Sequence, residues 1–316
     1  MTEYGYFLSS EEHGAPALVE YARQAEQAGF TSAWISDHFH PWLDTQGESP
    51  FVWCTIGGIA ATTQLRLTTA VTCPTFRTHP AVIAQAAATA STMFGGRFTL
   101  GVGSGENLNE HILGQHWPPT EVRLEMLEEA VEVMRKLWTG DIVTHHGRHY
   151  TVENARIYSL AQNPPAVMVS GFGPKAVDVA ARIGDGYMNA SPSKELVQQY
   201  VDAGGKGPKA AGVKLCWGDD EDQCVKLAHE LWRSSGVPGE LSQELPMPAH
   251  FEQAAQLVTP EKYAESVSCG PDPQKHAGAI KKYVDAGFDE IYISQIGPDQ
   301  QGFFEFFNRE LRPLLP

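Results

Sequence analysis

With 316 residues, 42% hydrophobic and 19% charged, the chain carries enough apolar material for a sizeable core, either as two average domains or as one α/β barrel with insertions. Its 38 acidic against 23 basic residues give a net charge of −15, which repels nucleic-acid backbones and anionic membranes, so neither is an expected partner. The start, Met1-Thr2-Glu3-Tyr4, has no basic or apolar leader pattern, and no run of about 18 apolar residues occurs, so a cytoplasmic location is expected. Cys54, Cys73, Cys216, Cys224 and Cys269 are widely spaced without a Cys-x-x-Cys pair. Free thiols are therefore expected, with neither a disulfide framework nor a metal site.

In chain order, strand-like and helix-like segments alternate. Tyr4 to Leu8 reads as a strand and Ala17 to Ala28, stopped by Gly29, as a helix. Ser32 to Ser36 is a short buried strand, since a helix needs about ten patterned residues and Pro41 blocks continuation. A helix over 51–63, a strand over 65–71 and an alanine-rich helix over 80–94 follow, the last with Pro80 at its start and Gly95 beyond its end. Next come a strand over 98–102 and a long amphipathic helix over 123–138. The stretch 141–165 breaks the pattern with a short β excursion. Three more strand and helix pairs then occupy 167–183, 186–203 and 213–232. Prolines and glycines gather between Gly236 and Pro248, so 234–271 reads as a long loop with a possible helix over 250–257, a lid or binding loop. A helix over 272–286, a strand over 290–294 and a terminal helix over 303–315 close the chain. Eight strands, each with a helix, predict a single (β/α)8 TIM barrel over 1–316 with insertions after strands 4 and 7. An open doubly wound sheet is the competitor.

In a barrel the C-terminal strand ends share one mouth, where active sites form. The second strand ends in Asp37-His38-Phe39-His40-Pro41-Trp42, and the third in Ala70-Val71-Thr72-Cys73-Pro74-Thr75. The fourth ends in Gly101-Val102-Gly103-Ser104-Gly105-Glu106, whose alternate glycines let a ligand lie against the backbone. Their spacing and position do not fit a dinucleotide fingerprint. Ser170-Gly171-Phe172-Gly173-Pro174 opens straight into a helix, and its amides suit a phosphate. Each motif alone also has a plain reading: a capped loop with surface histidines for the second, and turn geometry alone for the fifth.

Taken together, Ser36-Asp37-His38-Phe39 with Pro41-Trp42, Cys73-Pro74-Thr75-Phe76-Arg77 followed by His79-Pro80-Ala81, and Gly101 to Glu106 with Leu108-Asn109-Glu110 resemble the deazaflavin-dependent glucose-6-phosphate dehydrogenases of the luciferase-like superfamily. The similarity spans the chain, is dense over 30–190 and thins over 205–266. It implies a (β/α)8 barrel, a homodimer, and coenzyme F420 at the mouth. It also implies that His38 is the base, that Trp42 packs by the reacting carbon and that Glu106 manages a proton. Asp37, Ala70, Val71, Thr72, Cys73, Ser104, Gly105, Glu106 and Asn109 would hold the deazaflavin, with a cis peptide at Ala70-Val71 and the phosphate at Ser170, Gly171, Phe172, Gly173 and Pro174. No metal is implied.

The residue types fit that chemistry. Taking hydride from an alcohol carbon requires the hydroxyl proton to leave, and neutral imidazole accepts protons near pH 7. A carboxyl kept protonated by burial can relieve negative charge on a reduced deazaflavin, which makes Glu106 the candidate; capping the loop's own amides is its plainer role. Over 239–266, where the family holds the sugar phosphate with basic side chains, this chain has Lys262 and His250 among five acidic residues. A phosphate dianion wants clustered Arg or Lys, so a neutral alcohol or sugar is the expected substrate. Reversed transfer to a carbonyl or enone, an FMN-dependent oxygenase, and a deazaflavin carrier without catalysis stay as alternatives. Intact Asp37, His38 and Glu106 argue against the last.

Overall fold

A computed structural model describes residues 2–316. Eight strands form one parallel barrel: β1 (Glu3–Leu8), β2 (Ser32–Ile35), β3 (Arg66–Thr69), β4 (Phe98–Val102), β5 (Ala166–Ser170), β6 (Gly186–Asn189), β7 (Lys209–Cys216) and β8 (Glu290–Gln295). They pair in sequence order, β8 returns to β1, and β6 pairs with β7. The sheet is closed, which excludes the doubly wound alternative.

Alternation along each strand sorts the side chains. Ala33, Ile35, Val167, Val169, Ile291 and Ile293 face the helices in the main core. Trp34, Met168, Met188 and Tyr292 fill the barrel interior, where Trp34 stacks on Tyr292 at 4.4 Å. These large side chains require small partners on the same layer. A Cβ at Gly5 would sit 2.4 Å from the Tyr292 ring, and one at Gly101 would meet the Thr69 carbonyl oxygen at 1.9 Å. The helices start and stop on local chemistry. The His79 side chain accepts from the Ala81 amide ahead of Pro80–Met93, and Asp272 accepts from the Gln274 amide ahead of Pro273–Ala286, which Gly287 ends at φ +98°.

The 141–165 excursion contains an antiparallel pair, Val143–His146 with Thr151–Ala155. Two expectations need correction. β7 starts at Lys209 rather than at residue 213, because Ala210, Ala211 and Gly212 carry little strand propensity yet are buried by pairing with β8. The 234–271 stretch is not a structureless loop. It holds helices at Leu241–Glu244, Pro248–Ala254 and Pro260–Ala264, two of them opened by Pro at the first turn, and a short strand, Ser268–Cys269, pairs with Leu215 and Cys216 of β7. That strand has only two residues, too few for any alternation to show. The segment packs over the β4 loop: Asn107 Nδ2 donates to the Glu244 carbonyl (2.8 Å), and the buried Arg123 reaches Glu244 Oε1 (3.1 Å) and Gln243 Oε1 (2.9 Å). Among the described residues no helix is long and apolar enough to cross a membrane, and no group of three or more His, Cys, Asp or Glu could hold a metal.

Candidate active site

The loops after β1 to β5 meet at the C-terminal mouth. After β2, Asp37 is buried with both carboxylate oxygens engaged: Thr72 Oγ1 donates to Oδ2 (2.8 Å) and Arg77 Nη2 to Oδ1 (2.8 Å). Arg77 also faces the buried Glu110, with Nε 3.7 Å from Oε1 and its own amide donating to Oε2 (2.8 Å). Removing the guanidinium would strand two buried carboxyls, at a cost of about 3–5 kcal/mol. The deeply buried carboxyl of the β4 loop is therefore Glu110, which burial pushes up to about 7 against the pull of Arg77. Glu106 is only half-buried, 3.5 Å from Asn109 Nδ2, and makes no cap bond to the helix it precedes, Asn107–Glu110. Neither the burial expected of Glu106 nor its plainer capping role is realised.

His38 is held from two sides. Asn109 Oδ1 accepts from the amides of Phe39 (2.9 Å) and His40 (3.1 Å), which fixes the amide group so that Nδ2 donates to His38 Nδ1 (3.1 Å). In that state the imidazole proton sits on Nε2, 3.5 Å from Glu11 Oε1. The alternative tautomer places its proton on Nδ1, where the His40 carbonyl lies 3.2 Å away. Glu11 is buried after β1. It accepts from Ser36 Oγ (2.7 Å) and Ser9 Oγ (3.1 Å). Burial alone would push its carboxyl up, but His38, the Ser36 hydroxyl, its own backbone and Lys214 together hold it below the usual carboxylate range. Trp42 stands at the edge of the pair, 5.1 Å from the His38 ring and 5.2 Å, edge on, from Phe251 of the 234–271 segment. His40 Nδ1 pairs with the Leu108 carbonyl (2.8 Å), a turn-fixing role.

The remaining predicted positions divide. The Ala70-Val71 bond is cis, and Ala70 and Val71 pack against the barrel interior beside Trp34 and Tyr292. Cys73 is buried, its sulfur 2.9 Å from Thr75 Oγ1 and beneath Gly105, which takes φ +81°. Asn109 is also buried and organises the β2 loop. Ser104 and Gly105 lie in the connection between β4 and the short helix that follows. At the fifth loop, Gly173 precedes the helix Pro174–Ile183, whose N-terminus has no side-chain cap, and a Cβ on Gly173 would meet nothing within 4 Å. Uncapped amides facing open space fit a phosphate group.

Sequence reading missed Glu11, Glu12 and Lys214, and quoted Arg77 in the third-strand motif without giving it a role. Glu11 and Glu12 follow the first strand as Asp37 and His38 follow the second, so the same positional rule would have found them. Lys214 left no such signal, because it lies within β7 rather than beyond a strand end.

The chain belongs to the luciferase-like monooxygenase family, whose model matches residues 2–290. It is 33% identical over 326 residues to an F420-dependent glucose-6-phosphate dehydrogenase of Microbacterium testaceum, covering 99% of this chain and 97% of that one. A protein of the same name from Segniliparus rotundus is 36% identical, with 98% and 97% covered. An F420-dependent secondary alcohol dehydrogenase in complex with an F420-acetone adduct superposes with a TM-score of 0.92 at 30% identity, over 100% of this chain and 99% of that one.

Proposed function

We propose that the protein is an F420-dependent oxidoreductase acting on CH–OH groups, with a neutral alcohol as substrate. The observation that carries this reading is the buried Glu11–His38 pair beside Trp42, at the mouth of a barrel whose fifth loop offers an uncapped helix N-terminus. Bound there, F420 supplies hydride acceptance. The residues of the fifth loop, Ser170 to Pro174, would hold its phosphate, and the third and fourth loops would lie along the deazaflavin. His38 takes the hydroxyl proton on Nε2 in the tautomer whose Nδ1 donates to the His40 carbonyl, a state in which the Asn109 amide no longer donates to Nδ1. The imidazolium that results is stabilised by Glu11 on one nitrogen and by that carbonyl on the other. Glu106, half-buried beside Asn109, stands as the carboxyl that manages a proton at the deazaflavin. Trp42, Phe251 and Leu245 make an apolar wall that suits carbon rather than phosphate.

The direct test is fluorescence titration with oxidised F420 and with FMN, followed by bleaching of the F420 visible band with secondary alcohols. F420 is expected to bind more tightly. Equal or tighter FMN binding would support an oxygenase instead.

A homodimer fits the surface. Phe51, Val82 and Met93 are exposed along an apolar groove of about 340 Å³ between the helices Val52–Thr62 and Pro80–Met93, a face suited to a second copy. Val82→Asp, at the exposed part of that face, is expected to convert a dimer to a folded monomer in light scattering; an unchanged mass would place any dimer contact elsewhere.

A further inference from the structure

The β2 loop offers its main-chain amides in two adjacent pairs, separated by Pro41, which has none. The first pair, Phe39 and His40, donates to Asn109 Oδ1. The second pair, Trp42 (2.8 Å) and Leu43 (3.2 Å), donates to Gln46 Oε1. Two carboxamide oxygens thus satisfy every amide between residues 39 and 43. Asn109 reaches in from the β4 loop and touches His38, whereas Gln46 is local and has no task in the reaction just described. It ends the 3₁₀ turn Asp44–Gln46, with its own amide donating to the Leu43 carbonyl (3.0 Å), so its side chain folds back over that turn. Gly47 at φ +83° then redirects the chain, and the Glu48 amide donates to the Glu11 carbonyl (3.1 Å).

Gln46 is 5% exposed, so water does not stand in for its oxygen. Two amide donors on one end fix which end is the oxygen. The other end, Nε2, is buried and has no partner among the described residues. Gln46 therefore works as an acceptor alone. What it holds is the backbone under Trp42. The Leu43 side chain is fully buried with Leu108 and Phe251, and Trp42 packs against that group. Trp42 also packs against the cluster of Trp232, Val258 and Tyr263, in which the Trp232 indole is itself fixed by donation to Glu12 Oε1 (2.6 Å). An indole moves only about two torsions, so a pinned backbone sets where its ring stands.

We propose that Gln46 is a positioning residue that determines specificity: its side-chain oxygen pins the Trp42-Leu43 backbone and so fixes the Trp42 indole as the wall against which the carbon chain of the alcohol packs. The substrate part of this inference rests on the oxidoreductase reading; the pin does not. Because base and wall are held by different carboxamides, loss of the Gln46 oxygen moves the wall and leaves His38 in place.

The test compares Gln46→Met, which keeps the length and loses the acceptor, with Gln46→Glu, which keeps the acceptor and drops only the unpartnered Nε2 group. With F420 and 2-propanol, Gln46→Met is expected to raise KM about 3- to 10-fold, the scale of one hydrogen bond, with a smaller change in kcat and F420 affinity within about twofold. The ratio of kcat/KM between 2-propanol and the bulkier cyclohexanol should shift in Gln46→Met, while Gln46→Glu stays within about twofold of the unsubstituted protein in KM. In a Trp42→Ala background Gln46→Met should add nothing, since it acts through Trp42. An unchanged KM in folded Gln46→Met, an equal rise in the Trp42→Ala background, or a Gln46→Glu variant as impaired as Gln46→Met overturns the proposal. Should Gln46→Met fail to fold by circular dichroism, Gln46→Asn, one methylene too short to serve both amides, takes its place in each comparison. The Trp42 indole N–H resonance of the ¹⁵N-labelled full chain, assigned by Trp42→Phe, is expected to move in Gln46→Met and to stay in Gln46→Glu without any ligand. A chain that reduces no F420 with any alcohol refutes the oxidoreductase reading, and an indole resonance unmoved in Gln46→Met then refutes the pin separately.

Discussion

Replacing His38 by alanine is expected to lower kcat by about 100-fold or more while leaving F420 affinity within a few-fold, because a positioned general base contributes on that scale. The side chain is held by Asn109 on Nδ1 and faces Glu11 from Nε2, so its removal deletes a proton acceptor without disturbing the Ser170 to Pro174 turn where the phosphate would sit. Glu11→Gln is expected to cost nearly as much, since a neutral amide cannot stabilise the imidazolium that forms when the proton arrives. The pair acts as a unit. The double variant should therefore be little worse than either single one, as happens when two residues serve one step. Rapid-mixing measurement of F420 reduction, with affinity read separately from fluorescence, checks both parts. Near-normal turnover in His38→Ala would remove the residue from this role, and strictly additive losses would mean that Glu11 and His38 act on different steps.

Glucose 6-phosphate is expected to be a poor substrate, with kcat/KM about 100-fold or more below that of the best neutral alcohol, a difference of roughly 3 kcal/mol. The curated relatives quoted above carry that sugar phosphate in their names, so the expectation separates this chain from them. The physical reason lies in the segment over the mouth. Between residues 239 and 266 it has five acidic side chains against Lys262 and His250. Lys262 is exposed on the helix Pro260–Ala264, and Lys194 is exposed at the start of the helix Lys194–Asp202, so neither is sequestered as part of a phosphate pocket. The buried Arg123 is already spent on Gln243 and Glu244. The side chains of that segment that pack beside Trp42 are apolar, Phe251 and Leu245. A dianion placed there meets carboxylates and aromatic walls, and like-charge juxtaposition alone can cost several kcal/mol. Comparing kcat/KM for secondary alcohols, free sugars and sugar phosphates decides the matter. Glucose 6-phosphate in first place would mean that Lys194 or Lys262 turns into the mouth when the ligand binds, since Lys206 and Lys209 sit at the opposite, N-terminal end of β7.

The barrel was legible in the sequence because its signals are local. Strand and helix periods alternate, Pro80 and Gly95 bracket a helix, and Asp37, His38 and Trp42 arrive where an apolar strand stops, all within a few residues of one another. The β excursion after the fourth unit showed itself by alternation around Gly147. Other features depended on chain closure. β7 extends back through Ala210-Ala211-Gly212 because β8 and β6 bury it from both sides, a context that small residues do not announce. The Ser268–Cys269 strand exists because the far end of β7 has a free edge there. The site divides along the same line. Residue types at strand ends named His38 and Glu106 from the sequence. Partners within the site lie 25 to 71 positions apart: Ser36 from Glu11, Arg77 from Asp37, Asn109 from His38. Burial and charge pairing are properties of the folded neighbourhood rather than of any window of sequence. For that reason only the tertiary structure could move the deeply buried carboxyl from Glu106 to Glu110, and bring Glu11 to His38 and Glu12 to Trp232.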